Sequence, residues 1–302
     1  MTIRLGTRGS ALALAQSGLV ADAVRQHLGV DVELVEIVTP GDRSSKPVAK
    51  LGVGVFVSAL RDALAAKEID IAVHSYKDLP TAQPDGLVIP AIPQRADPRD
   101  ALVARDRRTL AELPAGARVG TGAVRRIAQL NALGLPLDVV PIRGNVDTRL
   151  RKVTSGEFDA VVIAHAGLVR LGRSAEVSEI LDPSLMLPAP AQGALAVECR
   201  ATDFDLLDAL SKLDHPETRA AVTAERALLA TLEAGCSAPV AGLANIDSTQ
   251  QIHLRGAVYS PDGRVALRLS RTGTLADAEQ VGRLLAEDLL AAGADKVLGV
   301  DA

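Results

Sequence analysis

Cysteine is scarce in this chain. Its 302 residues hold two thiols, Cys199 and Cys236, too few and too isolated for a disulfide framework or a zinc site. A reducing cytoplasm is the expected compartment. No charge-free apolar run reaches the roughly 18 residues that a membrane-spanning helix needs. The opening residues, Met1-Thr2-Ile3-Arg4-Leu5, run straight into a strand-like pattern and lack the basic-then-apolar layout of a signal peptide. Excess positive charge is missing too. A formal net charge of −4 argues against bulk binding to nucleic acid or membrane. Lysine is rare, with seven residues, so 26 of the 33 basic residues are arginine. A codon bias toward Arg and Ala accounts for such an excess. So does a pocket for carboxylates or phosphates, which planar guanidinium forks bind in bidentate fashion. Composition leaves both open.

What the chain does have is apolar side chain. Hydrophobic residues make up 48% of it, enough to bury sizeable cores and to exclude disorder as the main state. The first half alternates strand and helix. Ile3–Thr7 reads as a strand, Ser10 is placed to cap an Ala/Leu-rich helix running to about His27, and Val32–Val38 alternates with period two. After a polar loop come a helix near 57–66 and a short buried strand, Asp70–His74. Ile92–Arg99 reads as a hinge, and a second alternating set follows, with strands at 118–120, 137–142 and 158–163 and helices at 124–133 and 146–154. Each set predicts a βαβ lobe with a mainly parallel sheet. Leu187–Gly193 is a second hinge candidate. Beyond it lie helices near 203–213 and 217–232, strands near 251–259 and 264–272, and a closing helix over 276–292, an α+β module.

Polar clusters fall just after predicted strands, at the edge where open α/β sheets bind ligands. Thr7-Arg8-Gly9-Ser10 opens a helix and reads either as an anion site or as a plain N-cap beside an exposed arginine. Thr121-Gly122-Ala123-Val124-Arg125-Arg126 repeats the pattern, and two cations at the positive end of a helix dipole call for an anion nearby. Arg143-Gly144-Asn145, with Arg149 a turn later, repeats it again. Together they describe a site for a polyanion. His74-Ser75-Tyr76-Lys77-Asp78 is the candidate for chemistry. A carboxylate kept ionised by neighbouring cations stabilises positive charge forming on a substrate, and a loop Lys–Asp pair turning before Pro80 is the alternative. His74 reads as a structural histidine rather than a general base. Cys236, in a Gly-containing loop after a helix, is a nucleophile, an attachment point or an inert core thiol; Cys199, on an apolar stretch, reads as core.

These motifs, in this order, resemble the porphobilinogen deaminase (hydroxymethylbilane synthase) family essentially end to end. Thr7–Ser10, Ala72–Pro80, Asp97–Asp100, Arg125-Arg126, Arg143–Val146, Ala166–Leu168, Pro188–Gly193 and Leu232–Cys236 carry the likeness. The resemblance implies two lobes like those of type II periplasmic binding proteins with the active cleft between them, and a small C-terminal domain. The implied domains are residues 1–95 with about 193–213, residues 99–188, and residues 216–302. It implies polymerisation of four porphobilinogen molecules into hydroxymethylbilane with loss of ammonia, on a dipyrromethane primer held by a thioether at the position of Cys236. It implies a catalytic aspartate at Asp78. The implied carboxylate-binding residues are Arg8, Lys77, Arg125, Arg126, Arg143, Arg149, Lys50 and Arg170, with Ser10, Ser75 and Thr121 as polar contacts. A monomer is implied, with no metal, nucleic acid or membrane partner.

The chain departs from the family at three points, one of them Ser58, which stands where many relatives have a lysine. Many relatives carry Gly-Gly-Lys-Gly in the loop after the residue matching Lys50, whereas this chain reads Leu51-Gly52-Val53-Gly54-Val55-Phe56, a loop one residue shorter and without the lysine, and Gly122-Ala123 replaces a Ser-Ser pair. The rival reading is a non-catalytic two-lobed polyanion-binding protein, which requires neither Asp78 nor Cys236.

Overall fold

The computed structural model describes residues 2–38, 55–234 and 238–299. Lys50, the Leu51–Gly54 departure and Cys236 lie outside these. Contacts divide the chain into two compact units, Met1–Ala96 with Ala194–Arg219, and Asp97–Gly193 with Ala220–Ala302.

In the first unit, β1 (Thr2–Thr7) leads into α1 (Ala11–Leu28), and Ser10 Oγ accepts the Ala13 N–H at 3.3 Å as the N-cap. Such a cap stabilises a helix by about 1 kcal/mol. The helix stops at Gly29, whose left-handed backbone donates to Arg25 O. β2 (Asp31–Glu36), α2 (Val55–Ala65), β3 (Ile71–Ser75) and β4 (Leu87–Ala91) follow. β2, β1 and β3 pair in parallel. Val20, Ala21 and Val24 of α1 pack on Ile3, Leu5, Ile71 and Val73, one helix face against one sheet face.

The chain passes through residues 92–99 without regular structure and enters the second unit. Here β5 (Asp100–Ala104), β6 (Arg118–Thr121), α3 (Val124–Ala132), β7 (Asp138–Pro141), α4 (Val146–Thr154), β8 (Ala160–Ala164), α5 (His165–Arg170) and β9 (Glu179–Ile180) build a sheet of order β7-β6-β8-β5-β9. The chain then returns to the first unit as β10 (Leu195–Arg200), α6 (Phe204–Ser211) and the start of α7 (Pro216–Thr231). The first sheet therefore reads β2-β1-β3-β10-β4.

Both lobes are α/β, and the expectation of mainly parallel sheets holds with one exception in each. Four strands of each sheet share one direction and the fifth runs against them. β10 runs antiparallel to β3 and β4, and β5 antiparallel to β8 and β9. β5 and β10 are the segments that have just crossed from the other unit. Both lie inside stretches that local periodicity marks only as apolar, since a strand buried on both faces has no alternation to show.

The C-terminal module is an antiparallel meander, β11 (Val240–Ile246), β12 (Gln251–Tyr259) and β13 (Ala266–Thr274), covered by α8 (Ala278–Ala291) and followed by α9 (Ala294–Leu298). It joins the second lobe in one compact unit. Ala241, Leu243, Ala257 and Tyr259 share a buried cluster with Ala128 and Leu187, and Tyr259 donates its hydroxyl to Gln129 Oε1 at 3.1 Å.

Candidate active site

In the first unit the site residues gather at the C-terminal edge of two adjacent parallel strands. Thr7 ends β1, so Arg8 and the cap residue Ser10 follow at that edge, and Ser75 ends β3. The Ser75 hydroxyl and the Gln16 amide hold each other at 2.8 and 3.1 Å, tying α1 to the end of β3. Tyr76–Asp78 forms one 3-10 turn closed by Leu79 N–H to Tyr76 O. Leu79 is buried beneath it, while Asp78 is exposed and Lys77 half-buried. This places the predicted catalytic carboxylate on a turn anchored by backbone and by an apolar side chain.

His74 faces the other way. Its Nε2 lies 3.0 Å from Glu198 Oε2, and Glu198, fully buried on β10, also accepts the Arg61 fork at 2.9 to 3.2 Å. The structural assignment for His74 holds. Cys199 beside it is buried, and burial pushes its thiol up to about 12, an inert core residue.

In the second unit the paired arginines are not solvated. Arg125 and Arg126 open α3 and are 4% and 5% exposed. The anion that their position demands is Asp100, at the start of β5 and 0% exposed. Its Oδ2 accepts Arg125 Nη2 at 2.8 Å, and its Oδ1 accepts Arg126 Nη2 at 2.7 Å, Arg126 Nε at 3.1 Å and Gln192 Nε2 at 2.8 Å. Arg125 Nη1 also donates to Leu187 O at 2.6 Å and Arg126 Nη1 to Val162 O at 3.2 Å. Burial alone would raise the Asp100 carboxyl, but the two guanidiniums hold it far below the usual carboxylate range. Burial draws Arg125 down, opposed by Asp100.

Arg149 and Arg170 contrast with that pair. Both are half-buried. Arg149 Nε donates to Gly144 O at 2.9 Å and Arg170 Nη2 to Gly193 O at 2.6 Å; neither forms an ion pair with a described carboxylate. Burial draws both downward, Arg170 to about 10, and the Arg126 charge adds to the effect on Arg149. Two guanidiniums partly removed from water, each facing only a neutral carbonyl, suit a carboxylate-bearing ligand.

The loop that delivers Arg149 depends on two glycines. Gly144 sits at φ +102°, where a Cβ would fall 2.6 Å from Thr148 Cγ2, while Asn145 caps α4 through Thr148 N–H. Gly122 lets Ile142 O and the Arg149 guanidinium approach to 2.9 and 3.3 Å of where its Cβ would stand. A serine there would crowd both, a local reason for the departure from Ser-Ser. Arg143 is exposed at the same turn. Thr121 is fully buried, its hydroxyl accepting the Ala123 N–H at 3.4 Å.

Asp100 and Gln192 lie in motifs that carry the resemblance but have no role assigned from the sequence, and Gln16 and Glu198 carry no sequence signal of their own. Charge accounting called for an anion beside Arg125 and Arg126, but its source lies 25 residues upstream, beyond any local window.

These carboxylates set the acid limit of the fold. Burial by itself pushes Asp70, Asp97, Asp100 and Glu198 up. The neighbours Arg4, Arg99, the Arg125-Arg126 pair, and His74 with Arg61, respectively, outweigh it, so all four lie below their ordinary values. A depressed folded-state carboxyl contributes stability above its unfolded value, near pH 4, and that stability is lost as pH falls through the folded value. Thermal midpoints measured across a pH series are expected to hold from neutrality to about pH 5 and to drop steeply below about pH 4. A midpoint rising on acidification would contradict this assignment.

Residues 3–208 match the family model described as porphobilinogen deaminase, dipyromethane cofactor binding domain, and residues 219–291 match porphobilinogen deaminase, C-terminal domain. A porphobilinogen deaminase of Nocardia farcinica is 59% identical over 98% of this chain and 88% of that protein. Porphobilinogen deaminase 1 of Streptomyces coelicolor is 57% identical over 98% and 97%, and the Mycobacteroides abscessus protein 53% identical over 98% and 99%. Among solved structures, a periplasmic substrate-binding protein from Coxiella burnetii aligns over 72% of this chain and 94% of that one, with 14% identity and a TM-score of 0.45. With both family models matched in order and relatives similar over nearly its full length, the chain belongs to the porphobilinogen deaminase family.

Proposed function

We propose that the chain acts as a hydroxymethylbilane synthase, joining four porphobilinogen molecules head to tail with release of ammonia. Within the molecule, the supporting observation is the pair of partly desolvated guanidiniums, Arg149 and Arg170, that pair with no carboxylate among the described residues. Each porphobilinogen ring carries an acetate and a propionate, so the substrate supplies the anions this donor set lacks. Arg126 lies close enough to Arg149 to depress it, and Arg8, Lys77 and Arg143 are the further binding candidates, with Ser10, Ser75, Thr121 and Lys50.

Loss of ammonia from the aminomethyl group leaves a cation shared with the pyrrole nitrogen. Asp78 is assigned to stabilise that cation and to hold the ring N–H proton, acting where charge develops rather than as a nucleophile. A dipyrromethane primer, when bound as a thioether at Cys236, supplies the pyrrole carbon on which the chain begins. The donor set of Arg149 and Arg170 fits its carboxylates as it fits those of the substrate.

We also propose three domains, residues 1–95 with about 193–213, 99–188, and 216–302; the support is three separate sheets. A cytoplasmic monomer acting on small molecules, without nucleic acid or membrane, agrees with the charge of −4 and two cysteines. Among the described residues no helix is long and apolar enough to cross a membrane.

The intact mass of the purified protein tests the assignment. The expected mass exceeds the polypeptide by two linked pyrrole units, and Cys236→Ser abolishes the increment. An unmodified wild-type mass, with no ammonia released from porphobilinogen, would defeat it in favour of a non-catalytic polyanion-binding protein.

A further inference from the structure

Asp100 is a buried anion with no ligand role in the reading above, yet it organises three of the polar side chains around it. One carboxylate takes a guanidinium on each oxygen, and Gln192 shares the Arg126 side. Gln192 is itself pinned, donating to Pro98 O at 2.7 Å and accepting from Arg126 Nη2 at 3.3 Å. Gly193, the next residue, supplies the carbonyl that holds Arg170. Arg126 in turn lies near enough to Arg149 for their charges to interact. All these residues belong to one unit. A single carboxylate thus holds Arg125 and Arg126 directly, and Gln192 links it to the carbonyl that holds Arg170.

The charge arithmetic is uneven. Two guanidiniums meet one carboxylate, so the buried triad keeps one net positive charge. Without Asp100 the two cations repel each other in a dry site, with only neutral acceptors left. They then swing toward whatever anion is available, and their donors no longer point where the fold directs them. A planar fork tolerates little misdirection, because its value lies in two parallel hydrogen bonds to one carboxylate.

We propose that Asp100 is a positioning residue for substrate capture, setting the direction of Arg125 and Arg126. The proposal rests on the hydroxymethylbilane synthase reading. It concerns carboxylates that are bound alike before and during reaction, so its signature is in KM rather than kcat.

Asp100→Glu keeps the charge and displaces it by one methylene. Asp100→Asn keeps the shape and removes the charge. Both are compared with wild type and with Val24→Ala, a fully buried residue of α1 that serves as a destabilised control outside the site. Steady-state ammonia release, thermal midpoints and the fraction of protein carrying the Cys236 adduct are recorded for each. Asp100→Glu is expected to fold, to raise KM for porphobilinogen about 10-fold or more with kcat within about 3-fold, and to lower the loaded fraction. Asp100→Asn does the same more strongly wherever it folds. Val24→Ala loses thermal stability with KM unchanged. A folded Asp100→Glu with wild-type KM and wild-type loading overturns the positioning role while wild type remains active. A wild type that releases no ammonia overturns the functional reading beneath it.

Discussion

Asp78→Asn is expected to fold as wild type does and to release ammonia about 10² to 10³ times more slowly, with KM little changed. The fold should be indifferent because backbone closes the turn, through Leu79 N–H to Tyr76 O, and the buried Leu79 side chain anchors it, while Asp78 itself is exposed. Turnover should not be indifferent. The amide is the same size as the carboxylate but carries no charge, so it solvates the substrate cation without neutralising it. A preorganised charge aimed at a developing one contributes about 3 to 4 kcal/mol to the barrier. Steady-state ammonia release beside far-UV circular dichroism separates the two effects. Wild-type kcat in a folded Asn variant would remove Asp78 from the mechanism. Substitution of Asp78 is thus expected to be read in kcat and substitution of Asp100 in KM.

Glu198→Gln carries the largest expected loss of stability. Glu198 is completely buried and receives Arg61 in a fork and His74 at 3.0 Å. Neutralising it leaves the Arg61 charge beside a dry pocket with no anion, the situation in which breaking a buried ion pair costs about 3 to 5 kcal/mol. The loss should fall on the first unit, because β10, which carries Glu198, pairs with both β3 and β4. Denaturant titration with a fluorophore in each unit would read it. A change below about 1 kcal/mol would mean that the pocket rehydrates without cost. Replacing all three residues by apolar ones of matched volume should be far less damaging than removing one.

Much of the molecule was legible from local pattern. The βαβ alternation and the helices over 124–132 and 278–291 follow from periodicity, and α1 and the helix over 146–154 also from their caps Ser10 and Asn145, all signals that act within one or two turns. The motif order is enough to identify the family, and the resemblance it carries is what assigns roles to Asp78 and Cys236. The excess of arginine over lysine is accounted for equally by codon bias and by carboxylate recognition, and by itself it singles out none of the 26 arginines.

Partnership across the chain was decided only by tertiary structure. Glu198 meets His74 across 124 residues, and Gln192 meets Asp100 across 92. No window of sequence contains both members of either pair. The same holds for β5 and β10, whose antiparallel insertion comes from crossing between units and not from any residue pattern of their own. The arginines show the difference most clearly. In sequence, Arg125, Arg126, Arg149 and Arg170 are equivalent cations near helix ends. In the fold, Asp100 neutralises part of the charge of the first two, while the last two are drawn out of water against bare carbonyls. Charge is a property of the residue and is written in the sequence. Whether that charge is already paired depends on what folding brings within about 3 Å, and only the tertiary structure supplies that.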